Sequence, residues 1–221
     1  MKHNMNNNLI LDNIQFFSKL NKVTKYFVVI FLGSLLFALS ARIKIDIPPI
    51  PVTMQTLVLL VFAMSVGWRI SVATFLLYLF EGSIGLPFFA NPPYGGFPYL
   101  LGPSGGYLFG MLVASFIVGY LAELNYDKKY LQSLFSMFLG TFIIFFFGII
   151  WLTYWVLIQP DSTITFLCDR ENVICDINFW NISQSFNLAL ILGVFKFLIT
   201  EPIKIALAAV ITPLIWSYLK K

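Results

Sequence analysis

Three ionisable side chains stand inside hydrophobic runs of this chain: Glu81, Glu201 and Lys204. A charge at the centre of a membrane helix costs roughly 2.5–3.5 kcal/mol on an insertion scale, so each demands a partner or a function. Glu201 and Lys204 are spaced i, i+3 and therefore share a helix face. Two readings of this pair stand open. Either the two bond to each other and are structural, or a cation and an acceptor lying under an uncharged aromatic segment form a pocket for a small acid with an apolar body. Glu81, near the end of its run, reads as structural, with the following loop as its hydrogen-bonding partner.

Other chemistry is poorly provided for. The stretch "GPSGG" holds Gly102-x-Ser104-Gly105, the nucleophile pattern of rhomboid intramembrane proteases. A serine nucleophile needs a positioned base, and the single histidine, His3, lies in the N-terminal tail, which leaves only a Ser104–Lys204 dyad. Gly-x-Ser-Gly is also common in turns, so no catalytic residue is expected and a membrane-embedded hydrolase is the weaker alternative. The glycine-rich stretch lacks the Lys-Ser/Thr ending of a P-loop, so any ATP that drives this protein is hydrolysed by another subunit. Cys168 and Cys175 fall in one loop and read equally as a disulfide or as two inert thiols. With no histidine or further cysteine nearby, no metal is expected. No cofactor is expected, and nothing points to nucleic acid. Asn181-Ile182-Ser183 is formally a glycosylation acceptor.

The elements that must position Glu201 and Lys204 are membrane helices. Of 221 residues, 59% are apolar and 11% charged, against about 25% charged in an ordinary soluble domain. This composition describes an integral membrane protein embedded in a lipid bilayer. Such a length holds about six spans of roughly 20 residues with short loops, and no separate soluble domain. Hydrophobic runs place spans near 26–41, 54–68, 70–84, 105–122, 133–158 and 201–217. The expected fold is an all-α six-helix transmembrane bundle, since backbone groups in hydrocarbon need internal partners. Residues 186–198 read as a short partial or re-entrant helix before the break at Thr200-Glu201-Pro202. Residues 1–25 form a loose basic tail, 26–221 a single transmembrane substrate-binding domain, and 159–185 an extended outer loop. Lys and Arg cluster on the side of the termini, so both termini are expected in the cytoplasm and the chain in the cytoplasmic membrane. The uncharged stretch "GLPFFANPPYGGFPYLLGPSGGY", Gly85–Tyr107, then lies outside.

Residues 41–120 resemble the biotin-specific S component of energy-coupling-factor transporters. The likeness begins in "ARIKIDIPPIPVTMQT", where Ile50-Pro51-Val52-Thr53-Met54-Gln55-Thr56 stands for the family's Val-Pro-Ile-Thr-Leu-Gln-Thr. It continues in "YLFEGSIGLPFFA", Tyr78–Ala90, and "GPSGGYLFG", Gly102–Gly110. Three ordered motifs within about eighty residues are more specific than any lone glycine pattern. The family's last motif, Gly-x-x-Pro-Phe-x-x-Gly-Asp-x-x-Lys, appears as Gly193-x-x-Lys196-Phe197-x-x-Thr200-Glu201-x-x-Lys204. Acid and lysine keep their spacing, while Lys196 and Thr200 replace a proline and a glycine.

That resemblance implies a six-helix subunit that binds biotin near the outer face and docks on a transmembrane T component carrying two ATP-binding-cassette ATPases. It implies Asn91, Glu201 and Lys204 as ligand contacts. Lys204 suits the valerate carboxylate, and Asn91 and Glu201 suit the ureido ring. Asn91 also reads as a turn residue before Pro92-Pro93. Thr53 and Gln55, at the start of the second span, line the site from the first-loop side. Phe89, with Phe88, Tyr94, Phe97 and Tyr99, covers the thioether body or joins an interfacial aromatic belt. Ser34, Ala38 and Ala41 form a small-residue stripe on the first span. Docking on the T component and packing within the bundle are equal readings of that stripe. A solitary biotin carrier without an ATPase module is the main alternative function.

Overall fold

The computed structural model describes residues 21–46, 49–171 and 181–219. Most of the expected tail and Cys175 therefore lie outside the described residues. Helix α1 (Lys22–Arg42) leads into a small antiparallel hairpin, β1 (Lys44–Ile45) and β2 (Val52–Thr53), in which Lys44 faces Thr53 and Ile45 faces Val52. Then come α2 (Gln55–Val66), α3 (Trp68–Ser83), the short α4 (Phe97–Leu100), α5 (Gly105–Glu123) and α6 (Tyr130–Leu157). Helix α7 (Asp161–Glu171), α8 (Ile182–Gly193), a 3-10 turn (Phe195–Phe197) and α9 (Thr200–Leu219) complete the chain.

Among the described residues, α1, α5 and α6 are each long and apolar enough to cross a membrane, and α8 with α9 makes a fourth span if the pair, bent by 48°, is counted as one. The chain is thus a helical membrane protein, but helix length alone does not yield six crossings. The reason is local. Gly67, at φ +79°, ends α2 after 12 residues, and α3 starts at the next position. At 1.5 Å per residue α2 spans about 18 Å, short of the roughly 30 Å of hydrocarbon.

Small residues set the helix spacing. A Cβ on Gly106 would lie 2.1 Å from the Trp151 Cβ, and one on Gly33 2.6 Å from Thr74 Cγ2, so α5–α6 and α1–α3 pack nearly backbone to side chain. Gly106 is therefore a helix contact. The stripe of Ser34, Ala38 and Ala41 follows the same logic: Ser34 and Ala41 are fully buried and Ala38 nearly so, within this chain's own core. All three positions are covered by this chain's own bundle. Phe27, Phe31, Leu32, Leu36 and Leu39 form the exposed surface of α1 instead.

The segment 159–185, expected as a loop, contains α7. Ile164, Leu167 and Cys168 bury its inner face in the main hydrophobic core of the bundle. Cys168 is disulfide-bonded.

Candidate ligand-binding site

The bend between the 3-10 turn and α9 puts Glu201 in the first turn of a restarted helix and Lys204 at the start of the next. Broken helices place free backbone groups and charges where a ligand can reach them. Glu201 and Lys204 are 5% and 6% exposed, among the most buried charges of the described chain. Lys204 Nζ donates to Glu201 Oε1 at 2.6 Å, to the Thr53 carbonyl at 2.7 Å and to Thr56 Oγ1 at 3.3 Å. These three acceptors use all the donors an ammonium has. Thr56 in turn donates to Glu201 Oε1 at 3.4 Å. Glu201 Oε2 is buried with no hydrogen-bond partner among the described residues. Of the two readings of the pair, the ion pair is formed, yet one carboxylate oxygen is left unsatisfied, a costly arrangement unless something else bonds it.

Thr53, the strand residue whose carbonyl takes Lys204, faces Lys44 across the hairpin. Lys44 Nζ donates to Asn91 Oδ1 at 2.8 Å and pairs with Asp46 at 2.6 Å. Beside it the Arg42 guanidinium lies 4.4 Å from the Tyr94 ring centroid and donates to the Pro87 carbonyl. The hairpin therefore touches the sequence-predicted residues at both ends: Lys204 on one side, Asn91 on the other.

The loop carrying Asn91 is a stack of turns. Phe89 N–H donates to the Tyr94 carbonyl and Tyr94 N–H to the Asn91 carbonyl, both at 2.7 Å, with Tyr94 at φ +64°. Gly96, at φ +97°, donates to Gly82 O at 2.7 Å and closes the loop onto α3. Phe89 is fully buried, stacked on Tyr99 at 4.5 Å and edge-on to Tyr78 at 5.7 Å. A Cβ on Gly82 would lie 2.3 Å from Phe89 Cζ, so the ring occupies the hollow left by that glycine. Burial holds the Tyr99 phenol above its ordinary pKa. Phe97, by contrast, is exposed. Glu81 holds this loop through its carbonyl, which accepts from Leu86 N–H at 3.2 Å, and not through its carboxylate. Gln55 is buried against Tyr78, its Nε2 without a partner among the described residues.

Two spaces meet at Lys204. A cavity of about 40 Å³ touches Thr53, Thr56, Tyr107, Phe197, Glu201 and Lys204. A groove of about 350 Å³ between the hairpin and α9 is lined by Lys44, Val52, Thr53, Thr200, Ile203 and Lys204, among others. Pockets for small organic ligands run from about 300 to 1,000 Å³, so the groove has the size and the inner cavity holds only the polar end. A larger apolar groove of about 690 Å³ near Leu108, Phe147 and Trp151 has no charged side chain to fix an acid. Ser104 is not among the partners of Lys204, so the structure does not assemble the Ser–Lys dyad.

Sequence reasoning named Thr53, Gln55, Asn91, Glu201 and Lys204, and the structure links Thr53, Glu201 and Lys204 directly, with Asn91 joined through Lys44. It overlooked Thr56, Arg42 and Lys44. Two cations in a loop expected to face away from the chain's other cations were the available signal.

The BioY family pattern spans residues 5–221. The chain belongs to the BioY family. Among relatives of this BioY-family chain, a probable biotin transporter BioY of Pyrococcus horikoshii is 29% identical over 80% of this chain and 86% of that protein. The biotin transporter BioY of Thermotoga maritima is 35% identical over 55% of this chain and 70% of that protein. A crystal structure of the S-component for biotin from an ECF-type ABC transporter superposes on it with a TM-score of 0.65 at 22% identity, covering 89% of this chain and 93% of that one. Its fold is thus that of the S-component.

Proposed function

We propose that this chain binds biotin and serves as the substrate-specific subunit of an energy-coupling-factor transporter, taking up the vitamin across the cytoplasmic membrane. A transmembrane T component and two ATP-binding-cassette ATPases complete the transporter and hydrolyse the ATP, and the chain itself is not an enzyme. The buried Glu201–Lys204 pair, meeting a groove of vitamin size in a BioY-family chain, carries the reading.

The chemistry divides as follows. The valerate carboxylate replaces Thr56, the most distant of the three acceptors, on the Lys204 ammonium. Glu201 Oε2, otherwise unpartnered, accepts from a ureido N–H. The apolar thioether body lies along Val52, Ile203 and the hairpin. The end of the bundle bearing the hairpin faces outward and both termini face the cytoplasm, in keeping with the lysine and arginine distribution.

Binding of radiolabelled biotin to the purified chain tests this. Tight binding is expected for the native protein, with a loss of about tenfold or more in Lys204→Ala, equivalent to about 1.4 kcal/mol. Tight binding unaltered by that substitution removes Lys204 from the site. Uptake that persists after ATP depletion identifies a solitary carrier instead.

A further inference from the structure

Lys44 lines the groove beside Lys204 and is built into the site. Its strand pairs it with Thr53, the residue whose carbonyl holds Lys204. Its side chain is 14% exposed, while that of its ion-pair partner Asp46 is 65% exposed, so the ammonium is turned inward toward Asn91. An ammonium has donors only, and the amide atom 2.8 Å from Lys44 Nζ must therefore be oxygen. That contact removes the ambiguity that otherwise attends the two faces of an asparagine amide.

The backbone of Asn91 is also engaged. Its carbonyl accepts from Tyr94 N–H at 2.7 Å. Nδ2 takes part in neither of these contacts. We infer that Lys44 is a positioning residue for ligand recognition: it grips Asn91 by the oxygen and so presents the amide to the ligand as a donor. The inference rests on the biotin reading above. It assigns Asn91 to the ureido oxygen, since a fixed donor needs an acceptor, and leaves the ureido N–H groups to Glu201.

A site built this way discriminates at one atom. In 2-iminobiotin a protonated nitrogen replaces the ureido oxygen, which sets donor against donor, and buried groups left unpaired are costly. Equilibrium dialysis with labelled biotin and 2-iminobiotin at neutral pH, on the purified full chain, supplies the test. The native protein is expected to prefer biotin strongly. In Lys44→Met the amide is free to turn, and the preference should narrow by about tenfold, with Lys44→Arg restoring it. Asn91→Asp provides a second, independent route. It keeps a partner for Lys44 but offers an oxygen to the ligand, so the preference should move toward 2-iminobiotin.

Equal weakening of both ligands in Lys44→Met, or a native preference retained in Asn91→Asp, overturns the positioning role while biotin binding stands. Native protein that binds neither ligand overturns the biotin reading, and the inference with it.

Discussion

The Lys204 ammonium donates to the Thr53 carbonyl at 2.7 Å, across 151 residues of sequence. That bond ties the start of the last helix to the backbone of the hairpin, whose opposite strand carries Lys44. Any movement of the hairpin therefore alters the coordination of the buried cation. The link between cover and charge is covalent chain on one side and a charge-assisted hydrogen bond on the other, about twice the strength of a neutral one.

Breaking the ion pair from one side should damage the fold as well as the site. Lys204→Ala leaves the Glu201 carboxylate buried and uncompensated, which costs roughly 3–5 kcal/mol. The double variant Glu201→Gln/Lys204→Met, which removes both charges, should recover most of the melting temperature in detergent without recovering biotin binding. Recovery of both would show that the pair is only structural.

Gly82→Ala should release the loop. Alanine normally favours a helix over glycine by about 1 kcal/mol, but here its methyl would lie 2.3 Å from Phe89 Cζ. Overpacking of this kind costs about 1–3 kcal/mol. A lowered melting temperature, partly restored by adding Phe89→Leu, is the expected result, read by thermal unfolding of each variant.

Tyr107→Phe tests the seam between α5 and the end of α8. The hydroxyl donates to the Gly193 carbonyl at 2.9 Å in a buried setting. Leaving that carbonyl unpaired should cost about 1–3 kcal/mol. Because Tyr107 also lines the cavity beside Lys204, biotin dissociation should quicken in the same variant, as stopped-flow measurement would reveal.

Ser104→Ala should leave biotin binding and uptake within twofold or so of native, since a surface-proximal substitution of this kind shifts stability by about 0.5 kcal/mol or less. Abolished function in this variant would revive the hydrolase reading.

Much of this was legible from residue order. The runs at 26–41, 105–122 and 133–158 became α1, α5 and α6, because long unbroken apolar stretches leave no alternative in lipid. The restart at Thr200 was legible too, since a proline at Pro202 suits a helix's first turn. What escaped notice depended on contacts distant in sequence. Two-residue strands are too short for an alternating pattern, so the hairpin and the pairing of Lys44 with Thr53 left no periodic trace. Phe89 looked like one aromatic among several. Only the hollow at Gly82 makes it a buried latch while Phe97 stays exposed. The inward turn of Ser34 and Ala41 was likewise undecidable from spacing, because small residues serve either neighbour equally.

Counted as one crossing, α8 and α9 make two rods of unequal duty, divided by the 48° bend ahead of Thr200. Beyond the joint, the 12 residues of α8 make a lever of about 18 Å, so a tilt of about 5° would carry its far tip by about 1.5 Å. Helix α9, holding both charges near its head, need not follow. Opening and reclosing by α8 would then cost α9 no change of register.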